Sequence, residues 1–162
     1  MPASITFVHT AIYVLVFTVF VLATLRFVPR IWLRHYPAVE KARQPPRSRS
    51  EAKAQVGYAA VFFGILFGLP LLSAWWVFGT GADPGPVFRH ILTMGAATSA
   101  VDWLILDWLL IRWLQPVWII PAGTGPASWR NRRDIIRDAL GFPIGTLLAA
   151  GWGWVVTRWI LS

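Results

Sequence analysis

Residues 101–113 read VDWLILDWLLIRW and set Asp102, Asp107 and Arg112 inside an otherwise continuous apolar run. Each of the three is followed by a tryptophan, so the run repeats every five residues as DWLIL, DWLLI and RWLQP. Apolar runs recur along the chain, and residues 5–25, 54–82, 90–101 and 139–157 contain no Lys, Arg, Asp or Glu. A bilayer crossing needs about 20 predominantly apolar residues. Four segments satisfy this, roughly 5–28, 56–79, 88–114 and 136–160. Only 14% of the 162 residues are charged and 56% are hydrophobic, whereas ordinary soluble domains carry about 25% charged residues. The chain therefore reads as one all-α membrane domain, 1–162, with four transmembrane helices and a basic linker over 29–55.

The charges sort by connection. Arg30, Arg34, Lys41, Arg43, Arg47, Arg49 and Lys53 fall in the first, and Arg130, Arg132 and Arg133 in the third. Arg26, Arg112 and Arg137 sit at helix ends beside them, leaving Arg89 and Arg158 on the other side. An excess of Lys and Arg marks cytoplasmic loops, so the N-terminus and the C-terminus are both expected outside, in a bacterial inner (plasma) membrane. The same rule accounts for the net charge of +8 without a nucleic-acid partner; membrane lipid is the expected contact. No basic residue precedes the first apolar segment, unlike a secretory signal, and we expect a retained helix. The absence of cysteine excludes disulfides and thiolate chemistry.

Several features read as structural. The prolines of the first connection (Pro29, Pro37, Pro45, Pro46) argue against regular packing there. The short GTGADPGP connection makes the second and third helices antiparallel neighbours. Ala60, Gly64 and Gly68 in the second helix, and Gly141, Gly145, Ala149 and Gly153 in the fourth, form stripes of small residues at four-residue spacing. Such stripes let helix backbones approach closely in lipid, where no hydrophobic force drives association. Gly95 and Ser99 are similarly placed in the third helix. Of eleven tryptophans, Trp103, Trp108 and Trp152 lie deep in their segments, where an indole N–H needs an acceptor.

On an α-helix five residues turn about 500° and rise about 7.5 Å, so Asp102, Asp107 and Arg112 are expected to point in three directions. Ion pairing within a helix needs spacings of three or four; their partners should come from other helices or another subunit. Arg112 is placed to extend outward to the interface, while Asp107 has Arg26 and Arg137 as possible partners. Asp102 lies near the midplane, where a carboxylate costs about 3 kcal/mol and desolvation favours its protonated form. Asp102 and Asp107 are thus the transport or proton-binding candidates. The structural alternative for Asp102 is a carboxyl group that holds the bundle together by hydrogen bonds to Trp152 or Thr146.

His9 and His90 lie at one depth in the first and third helices and form a possible ligand or metal pair, with haem as one candidate; no cofactor is otherwise expected. PAGTGP (121–126) precedes Arg130, Arg132 and Arg133. These three are expected to contact anionic headgroups, since the lysine context of a phosphate-binding P-loop is missing. Asp102, Leu104, Asp107 and Trp108, then Pro116, PAGTGP and GFPIG, resemble a pattern of uncharacterised bacterial four-helix membrane proteins. That pattern has an Asp-x-Leu-x-x-Asp-Trp helix, a Pro-Gly-Thr-x-Gly loop and a final Phe-x-Gly helix start. Ala122 is an insertion relative to it. The resemblance implies a shared site for Asp102 and Asp107 and no particular activity. Three function classes remain: a small transporter or channel with a titratable intramembrane carboxylate, a non-catalytic subunit of a larger membrane complex, and a membrane redox or lipid-modifying enzyme subunit. A homo-oligomer or hetero-complex would cover the charged helix.

Overall fold

The computed structural model describes residues 3–35, 44–116 and 139–161, together with positions 42, 118 and 136. It is all-helical over these residues. Helix α1 is Ala3–Phe27 and is followed by a 3-10 helix, Pro29–His35. Helix α2 is Arg49–Phe78, α3 is Pro84–Leu114, and α4 covers 141–160. Three helices, Ser4–Phe27, Arg49–Phe78 and Pro84–Leu114, are long and apolar enough to cross a membrane. In α4 the glycines and Arg158 dilute the apolar character that Leu147, Leu148, Val155 and Val156 supply.

Both ends of the first connection are helical, although its prolines argue against regular packing. Helix α2 starts at Arg49, inside the expected linker, because Ser48 and Glu51 form a capping box. The Ser48 hydroxyl accepts from the Glu51 amide (3.2 Å), and the Glu51 carboxylate accepts from the Ser48 amide (2.8 Å). Two orphan amides of the helix start are satisfied in this way. At the other end of α2, Gly79 and Gly81 take φ of 70° and 74°, which only glycine adopts cheaply. Asp83 then caps α3 by accepting from the Gly85 amide.

Helix α3 is central and packs against α1, α2 and α4. Towards the basic connection, Phe17, Val21 and Leu25 of α1 bury Leu106 of α3. Towards the Gly/Pro turn, Ala74, Val87, Ile91, Val156 and Leu161 make a second core.

Helix α2 changes to π-helical geometry over Gly64–Gly68, and Pro70 supplies the reason. Proline has no N–H for the carbonyl four residues earlier, and its ring collides with that carbonyl. The carbonyl is that of Leu66, and the Tyr13 hydroxyl donates to it from α1 at 3.1 Å. The Trp152 indole donates to the next carbonyl, Phe67, at 2.9 Å from α4. Backbone freed by proline within a membrane is tolerated when neighbouring helices satisfy it. Tyr13→Phe should therefore cost about 1 kcal/mol in a detergent unfolding titration, and much less in a Pro70→Ala background, where an N–H is restored. Equal costs in both backgrounds would remove this role for Tyr13.

The charged run is also π-helical, over Asp102–Leu114. This corrects the expectation of three directions. In a π-helix the backbone hydrogen bond joins residues five apart, so residues at a five-residue spacing lie closer to one side than they would on an α-helix. Asp102, Trp103 and Asp107 are half-buried and Arg112 is 8% exposed, whereas Trp108 and Trp113 are exposed. Arg112 is thus buried rather than extended to the interface.

Among the described residues, the small-residue contacts lie between α3 and α4. A Cβ at Gly145 would strike the Ser99 side chain, one at Gly95 would strike Ala149, and one at Gly153 would lie 3.2 Å from the Phe88 ring. Gly64, Gly68 and Gly141 meet no atom of the described residues within 4 Å.

Candidate functional site

Two polar stations lie along α3, one near its Gly/Pro-turn end and one near its middle. At the Gly/Pro-turn end, four side chains from three helices form one hydrogen-bonded chain. Thr6 Oγ1 lies 3.0 Å from His90 Nδ1, and His90 Nε2 lies 2.7 Å from Ser73 Oγ. Ser73 Oγ is in turn 2.7 Å from His9 Nδ1. The local causes are simple. Thr6 and His9 are three residues apart on α1 and so share a face. The tight turn between α2 and α3 places Ser73 and His90 at the same depth. His90 is 2% exposed, and Phe78 packs edge-on against its ring at 5.5 Å.

This chain has two consistent proton arrangements. A hydroxyl both donates and accepts, and a neutral imidazole has one N–H and one lone pair. In the first arrangement His9 donates to Ser73, Ser73 to His90, and His90 to Thr6. In the second every donor is reversed and both imidazoles change tautomer. A proton delivered to one end can therefore leave from the other after all the bonds switch. On its α1–α2 side, His9 and Ser73 border a groove of 380 Å³ with Tyr13, Trp76 and Met94.

The second station is Asp102. It lines a pocket of 410 Å³ whose other walls are Phe17 and Phe20 of α1, Trp32 and Ile31 of the 3-10 helix, and Gln55, Tyr58, Ala59, Phe62 and Phe63 of α2. The carboxylate is thus at an aromatic-walled pocket and is engaged with a neighbour. Of the two hydrogen-bond alternatives, the single Trp152 N–H goes to Phe67 O; the Thr146 hydroxyl donates to Phe142 O and keeps its acceptor lone pairs. Between the stations on α3, Thr98 Oγ1 is buried with no hydrogen-bond partner among the described residues.

The other residues singled out by sequence are dispersed. Arg26 is exposed, with its guanidinium 5.7 Å from the centroid of the Phe27 ring. Arg130, Arg132, Arg133 and Arg137 lie outside the described residues. His9 and His90 do come together, with ring centroids 5.9 Å apart. Both nitrogens of His90 are held by hydroxyls, so ligation through it requires displacing one. Among the described residues no group of three or more His, Asp or Glu is assembled. Sequence reading missed Ser73 and Thr6. Ser73 is the only hydroxyl in LPLLSAWWVF, a signal that becomes legible once the turn fixes its depth against His90. No protein-family model matches the chain, nor does any curated protein or solved structure, so the resemblance over 102–145 rests on its motif alone.

Proposed function

We propose that this chain is a small proton-translocating transporter or channel of the bacterial inner membrane, with Asp102 as the carboxylate that takes up and releases the proton. It crosses the membrane four times, with both termini outside and the basic connections on the cytoplasmic face. The observation that carries this reading is the pairing of two proton-active stations on one central helix. The Thr6–His90–Ser73–His9 chain is at one end, and Asp102 lines a pocket in the other half. Thr98 lies between them, roughly 12 Å from His90 and roughly 6 Å from Asp102 along the axis. Intramembrane ionisable residues commonly mark such routes.

The test is proton flux into liposomes under an imposed pH gradient, read with an internal dye. Wild-type protein is expected to conduct, and Asp102→Asn, folded to the same thermal stability, is expected to lose the flux. Equal flux from both would exclude Asp102 as the proton carrier. The open Gly64 and Gly68 face of α2 supports a second copy or a partner helix seated there. Native mass spectrometry of the same sample should show a multiple of the chain mass or an added polypeptide; a lone chain would remove that part of the reading.

A further inference from the structure

The pocket around Asp102 has a composition that ordinary packing does not require. Its walls include Phe20, Trp32, Tyr58 and Phe62, with one carboxylate, from Asp102, on the α3 side. The rings are held in place before any ligand arrives. The Trp32 indole donates to Thr24 Oγ1 at 3.0 Å and meets the Phe62 ring edge-on at 6.3 Å and 81°. Phe62 is also tilted against Phe20 at 6.3 Å. Aromatic faces attract cations through their quadrupole, and most strongly where water is excluded. The volume of 410 Å³ falls within the range of small-molecule sites, about 300–1,000 Å³. An inorganic cation would keep its hydration shell and gain little from rings. An ammonium buried among alkyl or aryl groups gains from both the rings and the carboxylate.

We infer that this pocket binds a hydrophobic organic cation, a tertiary or quaternary ammonium with apolar substituents, with Asp102 as its counter-charge. The inference rests on the proton-carrier reading and names the substrate class of that site. A carboxyl that has given up its proton attracts the cation, and a bound cation holds the proton off, so the two exchange at one group. The surroundings leave this role to Asp102. Among the described lining residues, α1 offers only Phe17 and Phe20, the 3-10 helix Ile31 and Trp32, and α2 the neutral Gln55 and Tyr58 with apolar groups. On α3 itself, Asp107 and Arg112 are the next charged residues, and neither lines the pocket. An adjoining cavity shares Ile31, Gln55 and Tyr58 with this pocket. There Arg30 is paired with Glu51 at 2.8 Å, and Arg47 donates to Gln55 and to the Arg30 carbonyl.

The probe is benzyltrimethylammonium, and its control is neopentylbenzene, which has the same shape with carbon in place of the charged nitrogen. Binding to the full chain in nanodiscs is read by tryptophan fluorescence and by proton release into weak buffer. Saturable binding of the cation is expected, with release of a proton and no displacement by neopentylbenzene. Asp102→Asn should weaken binding about tenfold or more and abolish the proton release. Trp32→Leu, which leaves the carboxylate in place, should weaken binding about fivefold while still releasing the proton, and it serves if Asp102→Asn does not fold. Binding unchanged in Trp32→Leu, or equal displacement by neopentylbenzene, overturns the inference. Asp102-dependent flux in liposomes without any cation binding also overturns it and leaves the proton-carrier reading standing. Cation binding that requires Asp102, in a chain that moves no protons, keeps the pocket assignment and removes the carrier.

Discussion

Gly95→Ala is expected to destabilise the protein by about 2–3 kcal/mol, a large loss for one methyl group. The added Cβ would fall on the Cβ of Ala149, with the Ala149 Cα 3.5 Å away. Neither atom can rotate aside, because a Cβ is fixed by its backbone, so α3 and α4 must separate along the contact. Gly145→Ala meets the hydroxyl of Ser99, which can swing away, and Ser99 Cβ at 3.1 Å; it should cost about 1 kcal/mol. Gly64→Ala meets no described residue within 4 Å in a helix, where alanine is favoured by up to about 1 kcal/mol, and in the single chain, with no partner on that face, should cost nothing. Unfolding titrations in one detergent give the order. Ala149→Gly should restore most of what Gly95→Ala loses, since it removes the colliding methyl. If the double variant is as unstable as the single, the two residues do not meet.

The same comparison shows how far sequence reading reaches. Four-residue spacing of small residues was equally clear in α2 and α4, yet among the described residues α4 presses its stripe on α3 while Gly64 and Gly68 of α2 meet nothing within 4 Å. Spacing identifies a surface able to approach another backbone; it does not say which backbone lies opposite. The five-residue repeat in 101–113 was visible, but its consequence was read on α-helical geometry. Once the segment is π-helical, residues five apart lie closer to one face, and Arg112 is buried rather than extended to the interface. Ser48 and Glu51 carried a legible capping signal within a stretch read as irregular linker. The candidate site was half legible. Asp102, His9 and His90 stand out as polar residues in apolar runs, whereas Ser73 and Thr6 gain meaning only from depth relations between helices.

Ser73→Ala is expected to reduce proton flux about a hundredfold, within the usual range for loss of a positioned acid–base group. The substitution removes one oxygen and almost no volume. That oxygen lies 2.7 Å from both His9 Nδ1 and His90 Nε2, and without it the bond-switching sequence has no middle member. The imidazole centroids are 5.9 Å apart with planes at 66°, an edge-on arrangement whose only described hydrogen-bonded link is the serine. A loss of stability should accompany the loss of flux, because a buried polar atom left unsatisfied costs about 1–3 kcal/mol, and His90 is buried. The stability loss alone would also follow from a purely structural clamp, so flux per folded molecule is the readout that separates the two. Ser73→Thr retains a hydroxyl and should retain most of the flux. If Ser73→Ala loses stability while its flux per folded molecule is unchanged, the four side chains hold α1, α2 and α3 together at the turn end and the proton takes another route to Asp102.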